Sequence, residues 1–169
     1  MTNTMATISG YRIIEQVYDG LRTKVYRGIR SSDQKPVVLK LLKSEYPTFN
    51  ELVQFRHQYA IAKNLDLPGI VQPLSLENYQ NVLVIVMEDF GGISLKEEME
   101  RRGDGGGIGR SSDSLNEFFN SAIQVAKTLE GLYQNRIIHK DIKPQNILIS
   151  PQTREIKLID FSISSLLPK

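Results

Sequence analysis

The chain has 169 residues, of which 40% are hydrophobic and 24% are charged, a composition typical of one globular domain. Its 21 Lys and Arg residues against 19 Asp and Glu residues give a net charge of only +2 without a dense basic block, which argues against nucleic-acid binding. The absence of cysteine and the presence of only two histidines exclude disulfides, thiolate metal sites and histidine clusters.

The first ten residues, MTNTMATISG, lack the basic start and apolar run of a targeting signal. No later stretch approaches the ~20 apolar residues that span a membrane. We therefore expect residues 1–10 to be a flexible tail, no membrane segment, and a cytoplasmic location.

Five segments of the first half predict β-strands, because they are short, apolar and bounded by polar turns. They are Tyr11 to Val17, Lys24 to Arg30, Pro36 to Leu41, Ile70 to Leu76 and Val82 to Met87. The turn-like SSDQK joins the second and third segments, and the polar ENYQN joins the last two. The expected product is a five-stranded antiparallel sheet.

A single helix is predicted between the third and fourth strands. Thr48 with Glu51 forms a capping box at its start, which satisfies free backbone N–H groups of the first turn. Apolar residues then recur at helical spacing at Leu52, Phe55, Tyr59 and Ala62. We expect this helix to cross over the sheet.

The pattern is again helical after Phe90, where Ser94 and Glu97 form a second capping box. The glycines that follow oppose both helix and strand, so residues 103–113 are predicted to be a Gly/Ser-rich linker. Ser114 and Glu117 are predicted to cap the longest helix. Its wide apolar face, which requires a partner, consists of Leu115, Phe118, Phe119, Ala122, Val125, Ala126, Leu129 and Leu132.

The strongest chemical signal is HKDIKPQN, from His139 to Asn146, which is followed nineteen residues after Asp141 by Asp160 in IKLIDFS. Both motifs lie between short apolar pieces around Ile137, Ile147 and Ile156. This arrangement resembles the catalytic loop HRDxKxxN and the magnesium-binding DFG motif of protein kinases. The alternative interpretation is that these are two unrelated aspartates in solvated turns, and the presence of both motifs at this spacing disfavours it.

The resemblance implies a role for each polar residue of these motifs. Asp141 accepts or orients the substrate hydroxyl proton, and Lys143, which is typical of serine/threonine kinases, meets the γ-phosphate. Asn146 and Asp160 are the implied Mg²⁺ ligands, and the cofactors are ATP and Mg²⁺. His139 is implied to pack the loop rather than to act as an acid or base.

Lys40, at the end of PVVLK, resembles the lysine that binds the α- and β-phosphates of ATP. In the family a glutamate on the following helix orients this lysine. Gln58 occupies the matching position here, so Lys40 and Gln58 cannot form an ion pair. The glycine-rich loop reads YDGLRTKV, which keeps Gly20 and Val25 but has Tyr18 and Thr23 at the outer glycines. We expect weaker nucleotide affinity as a result.

The segment VIVMEDFGGISL resembles the hinge between the two kinase lobes. Met87 then occupies the gatekeeper position, and the backbone of Glu88 and Phe90 faces the adenine. Ser162 replaces the glycine after Asp-Phe, which preserves the metal ligand and Phe161 but stiffens the turn.

The resemblance covers Tyr11 to Leu167 and implies an α+β, bilobal protein-kinase-like fold with an incomplete, mainly helical C-lobe. We expect the N-lobe at residues 11–87 and the hinge with a truncated C-lobe at 88–169. Nothing resembles the activation segment, so we expect an N-terminal fragment of a kinase domain. The sequence is most similar to the N-terminal kinase domains of large bacterial proteins that also carry ATPase, GAF and histidine-kinase regions.

Three functions are compatible with these residues. The first is an ATP- and Mg²⁺-dependent serine/threonine protein kinase, whose partners are a protein substrate, the missing C-lobe and further signalling domains. The second is a weak or inactive ATP-binding regulatory module of the pseudokinase type, which Gln58 and the poor glycine loop favour. The third is a small-molecule kinase of the aminoglycoside phosphotransferase type, against which Lys143 argues.

Overall fold

The computed structural model describes residues 8–79, 81–103 and 112–168, with no account of the side chains of residues 112–114. The chain divides into two compact units. The first comprises Met1–Lys63 and Gln72–Asp89, and the second comprises Asn64–Val71 and Phe90–Lys169. Most of the predicted linker at 103–113 lies outside the described residues.

The first unit contains the predicted five-stranded antiparallel sheet. Its strands are β1 (Tyr11–Asp19), β2 (Thr23–Arg30), β3 (Pro36–Leu42), β4 (Pro73–Tyr79) and β5 (Val82–Glu88), in the order β1-β2-β3-β5-β4. The edge strand β1 pairs with β2 through two irregular steps, whereas β2 and β3 pair in continuous register from Thr23↔Leu42 to Ile29↔Pro36. Irregular pairing is common at sheet edges, where one row of backbone groups has no neighbour.

Both faces of the sheet carry apolar side chains. Successive residues of a strand point to opposite faces, so apolar residues at neighbouring positions line both of them. On β5, Val84 and Val86 join one buried cluster with Ile8, Val37 and Leu39. On its other face, β5 contributes to a second cluster of Leu42, Phe55, Leu83 and Ile85. The core of this unit therefore lies on both sides of the central strands.

Helix α1 (Phe49–Lys63) covers the second cluster and is the crossing helix that the sequence predicts. The capping box is present, since the Thr48 backbone N–H donates to Glu51 Oε2 at 2.9 Å and the Glu51 N–H donates to Thr48 Oγ1 at 3.3 Å. Phe55 and Ala62 are buried, and Leu52 and Tyr59 pack against the cluster as predicted.

Ile8 differs from the predicted flexible tail of residues 1–10. Its side chain is only 3% exposed and belongs to the first core cluster. The Tyr11 N–H also donates to its carbonyl oxygen at 3.0 Å. Burial of a large aliphatic side chain stabilises an ordered backbone, so the folded unit includes Ile8; residues 1–7 lie outside the described part of the chain.

The second unit is built from helices and short strands. Its elements are β6 (Ile93–Ser94), α2 (Leu95–Arg101), α3 (Ser112–Gln134), β7 (Ile137–Ile138), β8 (Ile147–Ile149), β9 (Ile156–Leu158) and β10 (Ser165–Leu166), with a 3-10 turn at Pro144–Asn146. β6, β8 and β9 form one sheet, and β7 pairs with β10. Ser94 caps α2 as predicted, because its Oγ accepts from the Glu97 N–H at 3.1 Å.

One predicted strand begins later than expected, because Ile70 and Val71 lie outside it. The expected strand from Ile70 to Leu76 begins only at Pro73, because the preceding residues belong to the second unit and pair with β9. The Leu158 N–H donates to the Gly69 carbonyl at 2.8 Å, and the Val71 N–H donates to the Leu158 carbonyl at 3.1 Å. One continuous apolar run thus serves two different sheets.

The start of the longest helix is a second correction. α3 begins at Ser112, so Ser114 lies within the helix instead of capping it, and Glu117 binds arginines elsewhere. Of the predicted apolar face, Leu132 is buried, whereas Leu115, Phe118, Phe119 and Leu129 are exposed.

Among the described residues, no helix is long and apolar enough to cross a membrane.

Candidate active site

Two groups of predicted site residues occur, one in each unit. In the first unit, Lys40 Nζ donates a hydrogen bond to Gln58 Oε1 at 2.9 Å. β3 supplies the lysine, and α1 supplies the glutamine, which is buried at 6% exposure. The structure therefore joins the two residues as the sequence predicts, with an amide where an acid would form an ion pair.

The segment YDGLRTKV, residues 18–25, is called the glycine-poor loop below, and it joins β1 to β2 as a tight turn. The Gly20 N–H donates to the Thr23 carbonyl at 3.0 Å, and Leu21 at the tip is 98% exposed. A side chain at position 20 would collide with the Tyr18 ring, because the added Cβ would lie 2.5 Å from the nearest ring atom. Val25 lies directly opposite Lys40 in the β2–β3 register.

The predicted hinge residues have different environments. Met87 is partly buried against the second core cluster. The Glu88 N–H donates to the Gln72 carbonyl at 3.0 Å, and the Glu88 carboxylate accepts from the Gln72 N–H at 2.9 Å. Phe90 belongs to the second unit, where the Lys157 ammonium lies 5.2 Å from the centre of its ring.

The second unit brings two predicted site residues, Lys143 and Asn146, into contact with Asp141. Its Oδ2 accepts from Lys143 Nζ and from Asn146 Nδ2, each at 2.8 Å. Asn146 Nδ2 also donates to the Asp141 carbonyl at 2.9 Å. The amide of Asn146 is thereby oriented, which leaves its Oδ1 as an acceptor for a metal ion.

His139 links the segment that contains Asp141 to the residues before Asp160. Its Nδ1 accepts from the Asp141 N–H at 3.3 Å, so its Nε2 carries the proton and donates to the Ile159 carbonyl at 3.0 Å. The Ile159 N–H in turn donates to the Asn146 carbonyl at 3.0 Å. Burial lowers the pKa of His139, although the Ile159 hydrogen bond opposes this effect, and the neutral ring is the form that the contacts require.

Asp160 follows β9 in a left-handed backbone conformation, with φ of 67°. Such a conformation is uncommon for a non-glycine residue and is found at functional sites. Its Oδ1 accepts from the Ser162 N–H at 3.3 Å, and Phe161 is buried beside His139 with ring centres 4.8 Å apart. Ser162 itself has no positive φ, so its side chain introduces no backbone strain in this conformation.

The second unit offers oxygen donors of the kind that Mg²⁺ prefers. Asn146 Oδ1 and the Asp160 carboxylate are hard oxygen ligands, and Mg²⁺ in phosphoryl-transfer sites commonly has only one or two protein carboxylates. No cluster of three His, Cys, Asp or Glu side chains that would bind a metal without phosphate occurs among the described residues.

Sequence reasoning missed an ion-pair network that supports the second unit. Glu98 of α2 accepts from Arg102 at 2.9 Å and from Arg154 at 2.8 Å, and both arginines also contact Glu117. Burial by itself raises the pKa of Glu98, but the two arginines hold it below its ordinary value. Since Arg154 lies 56 residues from Glu98, no local pattern signals this contact.

Comparison with known proteins identifies the family of the chain. Residues 11–169 match the protein kinase domain family. The chain is 33% identical over 162 residues to serine/threonine-protein kinase PrkC of Bacillus subtilis, covering 95% of the chain and 24% of that protein. It is 30% identical to a probable serine/threonine-protein kinase of Clostridium perfringens, covering 91% of the chain and 21% of the relative. The plant kinase TIO of Arabidopsis thaliana is 31% identical, covering 93% of the chain and 11% of TIO.

The chain thus spans about a quarter or less of the length of these curated relatives. The family match nevertheless includes every predicted site residue from Gly20 to Asp160. On this basis the chain belongs to the protein kinase family and is similar to named serine/threonine kinases.

Proposed function

We propose that this domain transfers the γ-phosphoryl group of ATP, with Mg²⁺, to a serine or threonine hydroxyl of a protein. The observation that carries the proposal is the arrangement of Lys143 and Asn146 around Asp141, with both nitrogens 2.8 Å from one carboxylate oxygen. This arrangement fixes a base at a defined position and places a cation beside it, which phosphoryl transfer requires.

In the proposed reaction, Asp141 accepts the proton of the substrate hydroxyl. The hydroxyl oxygen forms a bond to the γ-phosphorus while the bond from that phosphorus to the β–γ bridging oxygen breaks, and ADP leaves. Lys143 stabilises the charge that develops on the phosphoryl oxygens. Mg²⁺, held by Asn146 and Asp160, would neutralise charge on the β- and γ-phosphates.

The residues of the first unit are assigned to nucleotide binding. Lys40 binds the α- and β-phosphates, and Gly20 and Val25 contact the nucleotide from the β1–β2 hairpin. Met87 and Glu88 are assigned to the adenine, as is Phe90, which belongs to the second unit. The Glu88 N–H already donates to the Gln72 carbonyl, so the proposed contact of Glu88 with the adenine uses a different backbone group of Glu88.

A second candidate function is a regulatory module that binds ATP without efficient transfer. It is favoured by the Lys40–Gln58 contact, because a neutral acceptor orients the lysine less firmly than a carboxylate does. Under both candidates the domain acts in the cytoplasm, where ATP is available. The proposed partners are a protein substrate, the remaining helices of the kinase fold and further signalling domains.

Measurements of ATP binding and of phosphate transfer to Ser/Thr peptides test both candidates. Lys40→Met is expected to abolish ATP·Mg²⁺ binding, whereas Lys35→Met, a matched control at an exposed lysine on the surface turn, is expected to have no effect. Asp141→Asn is expected to retain binding and lose transfer. Binding without transfer in the wild-type protein favours the regulatory candidate, and equal ATP affinity in the wild type and Lys40→Met overturns the assigned site.

A further inference from the structure

One side chain outside the predicted site contacts the glycine-poor loop. Lys43 follows β3 directly, and its Nζ donates to Asp19 Oδ1 at 2.7 Å and to the Gly20 carbonyl at 3.3 Å. Its backbone N–H donates to the Arg22 carbonyl at 2.8 Å. Lys43 therefore binds the loop on both sides of its tip, Leu21.

These contacts connect the loop to the strand that carries Lys40. Lys40 and Lys43 are three residues apart, and the β2–β3 register is continuous from Val25↔Lys40 to Thr23↔Leu42. A loop with several glycines can approach phosphate with few steric limits. Here only Gly20 is retained, so the position of the loop depends more on side-chain contacts.

We propose that Lys43, paired with Asp19, is a positioning residue that holds the β1–β2 loop in place for the phosphates of ATP. This inference rests on the proposed function. The Lys43 ammonium fixes the loop by binding a carboxylate and a carbonyl from the arm that follows β1, while its backbone binds the arm that precedes β2. The ion pair also holds the pKa of Asp19 below its ordinary value.

The expected effect is modest, because both partners are 41% exposed. Exposed ion pairs make small contributions, so loss of this pair is expected to raise KM for ATP about two- to fivefold. The kcat and the KM for the peptide are expected to change little, since Lys43 and Asp19 belong to the first unit, whereas the proposed base, Asp141, belongs to the second. High salt should reduce the difference between variant and wild type by screening the pair.

A direct contact between Lys43 and phosphate makes the opposite prediction for Asp19. If Lys43 bound phosphate directly, Asp19→Asn would release the ammonium and remove a repulsive charge, so KM for ATP would fall. If Lys43 acts through the loop, Asp19→Asn loosens the loop, so KM for ATP rises.

The test compares KM for ATP, KM for peptide, kcat and calorimetric ATP affinity in the full protein. Lys43→Met and Asp19→Asn are expected to raise KM for ATP, Lys43→Arg to stay near wild type, and the double exchange Asp19→Lys with Lys43→Asp to recover most of the loss. Arg22→Met is the matched control, since it also removes a cation from this loop. The Arg22 guanidinium makes only a long ion pair, 3.9 Å from Glu51 Oε1.

Each outcome bears on the inference. A wild-type protein that neither binds ATP nor transfers phosphate overturns the proposed function and this inference with it. Transfer by the wild type with an unchanged KM for ATP in Lys43→Met overturns the inference alone. A lower KM in Asp19→Asn, or no recovery in the double exchange, also contradicts the loop-positioning role, and thermal unfolding of each variant identifies any general loss of folding.

Discussion

Replacing Gln58 by glutamate converts the contact to Lys40 from a neutral hydrogen bond into an ion pair. The two side chains already meet at 2.9 Å, and Gln58 is 6% exposed, so the nearly isosteric carboxylate can occupy the same position. We expect Lys40 to be held more firmly toward phosphate, which raises the rate of phosphoryl transfer.

The magnitude follows from two opposing terms. At an effective dielectric constant of about 20, opposite charges about 4 Å apart attract by roughly 4 kcal/mol. Removing a carboxylate from water costs several kcal/mol and offsets most of this attraction. If about 1 kcal/mol of the remaining attraction is expressed in the transition state, kcat/KM rises about fivefold.

The assay is steady-state phosphorylation of a Ser/Thr peptide, together with calorimetric ATP binding, for the wild type, Gln58→Glu and Gln58→Leu. The leucine variant is the control, because it removes the acceptor at similar volume and is expected to lower kcat/KM. The free energy of unfolding is measured in parallel. Unchanged kcat/KM and ATP affinity in both variants, with wild-type stability, would refute the reasoning that Gln58 orients Lys40.

Three further predictions concern stability. Thr48→Ala removes the side-chain acceptor of the α1 capping box and is expected to lower the free energy of unfolding by about 1 kcal/mol in chemical denaturation. Gly69→Ala is expected to be more destabilising, by about 1 to 3 kcal/mol, because its Cβ would lie 1.8 Å from the Oγ1 of the buried Thr128. For His139, the folded-state pKa lies below its ordinary value of 6.5, so the unfolded chain binds more protons and stability falls as pH drops below about 6.5.

Each of these predictions has a control. Thr48→Ser keeps a hydroxyl acceptor and should retain most of the stability. Gly69→Ala combined with Thr128→Ala should recover part of the loss, whereas two additive losses would show that the collision is not the cause. The His139 contribution is the difference in pH dependence between the wild type and His139→Gln, and equal slopes between about pH 5.5 and 7.5 would exclude it.

The sequence alone determined the features that depend on neighbours along the chain. Short apolar runs bounded by polar turns predicted the five strands, helical spacing predicted α1, and the boxes at Thr48 and Ser94 predicted two helix starts. The motif HKDIKPQN, through its resemblance to the kinase catalytic loop, likewise indicated Asp141, Lys143 and Asn146 as site residues, and the side chains of these three residues are in contact. These signals are readable because they arise from local backbone geometry.

Only the tertiary structure decided which distant segments meet. It paired Ile70 and Val71 with β9 instead of extending β4, placed Lys43 against Asp19, and joined Glu98 to Arg154. It also determined the protonated nitrogen of His139 through its contact with Ile159. Such contacts depend on how whole elements pack, because a local apolar or charged pattern is compatible with many distant partners until one packing buries the core.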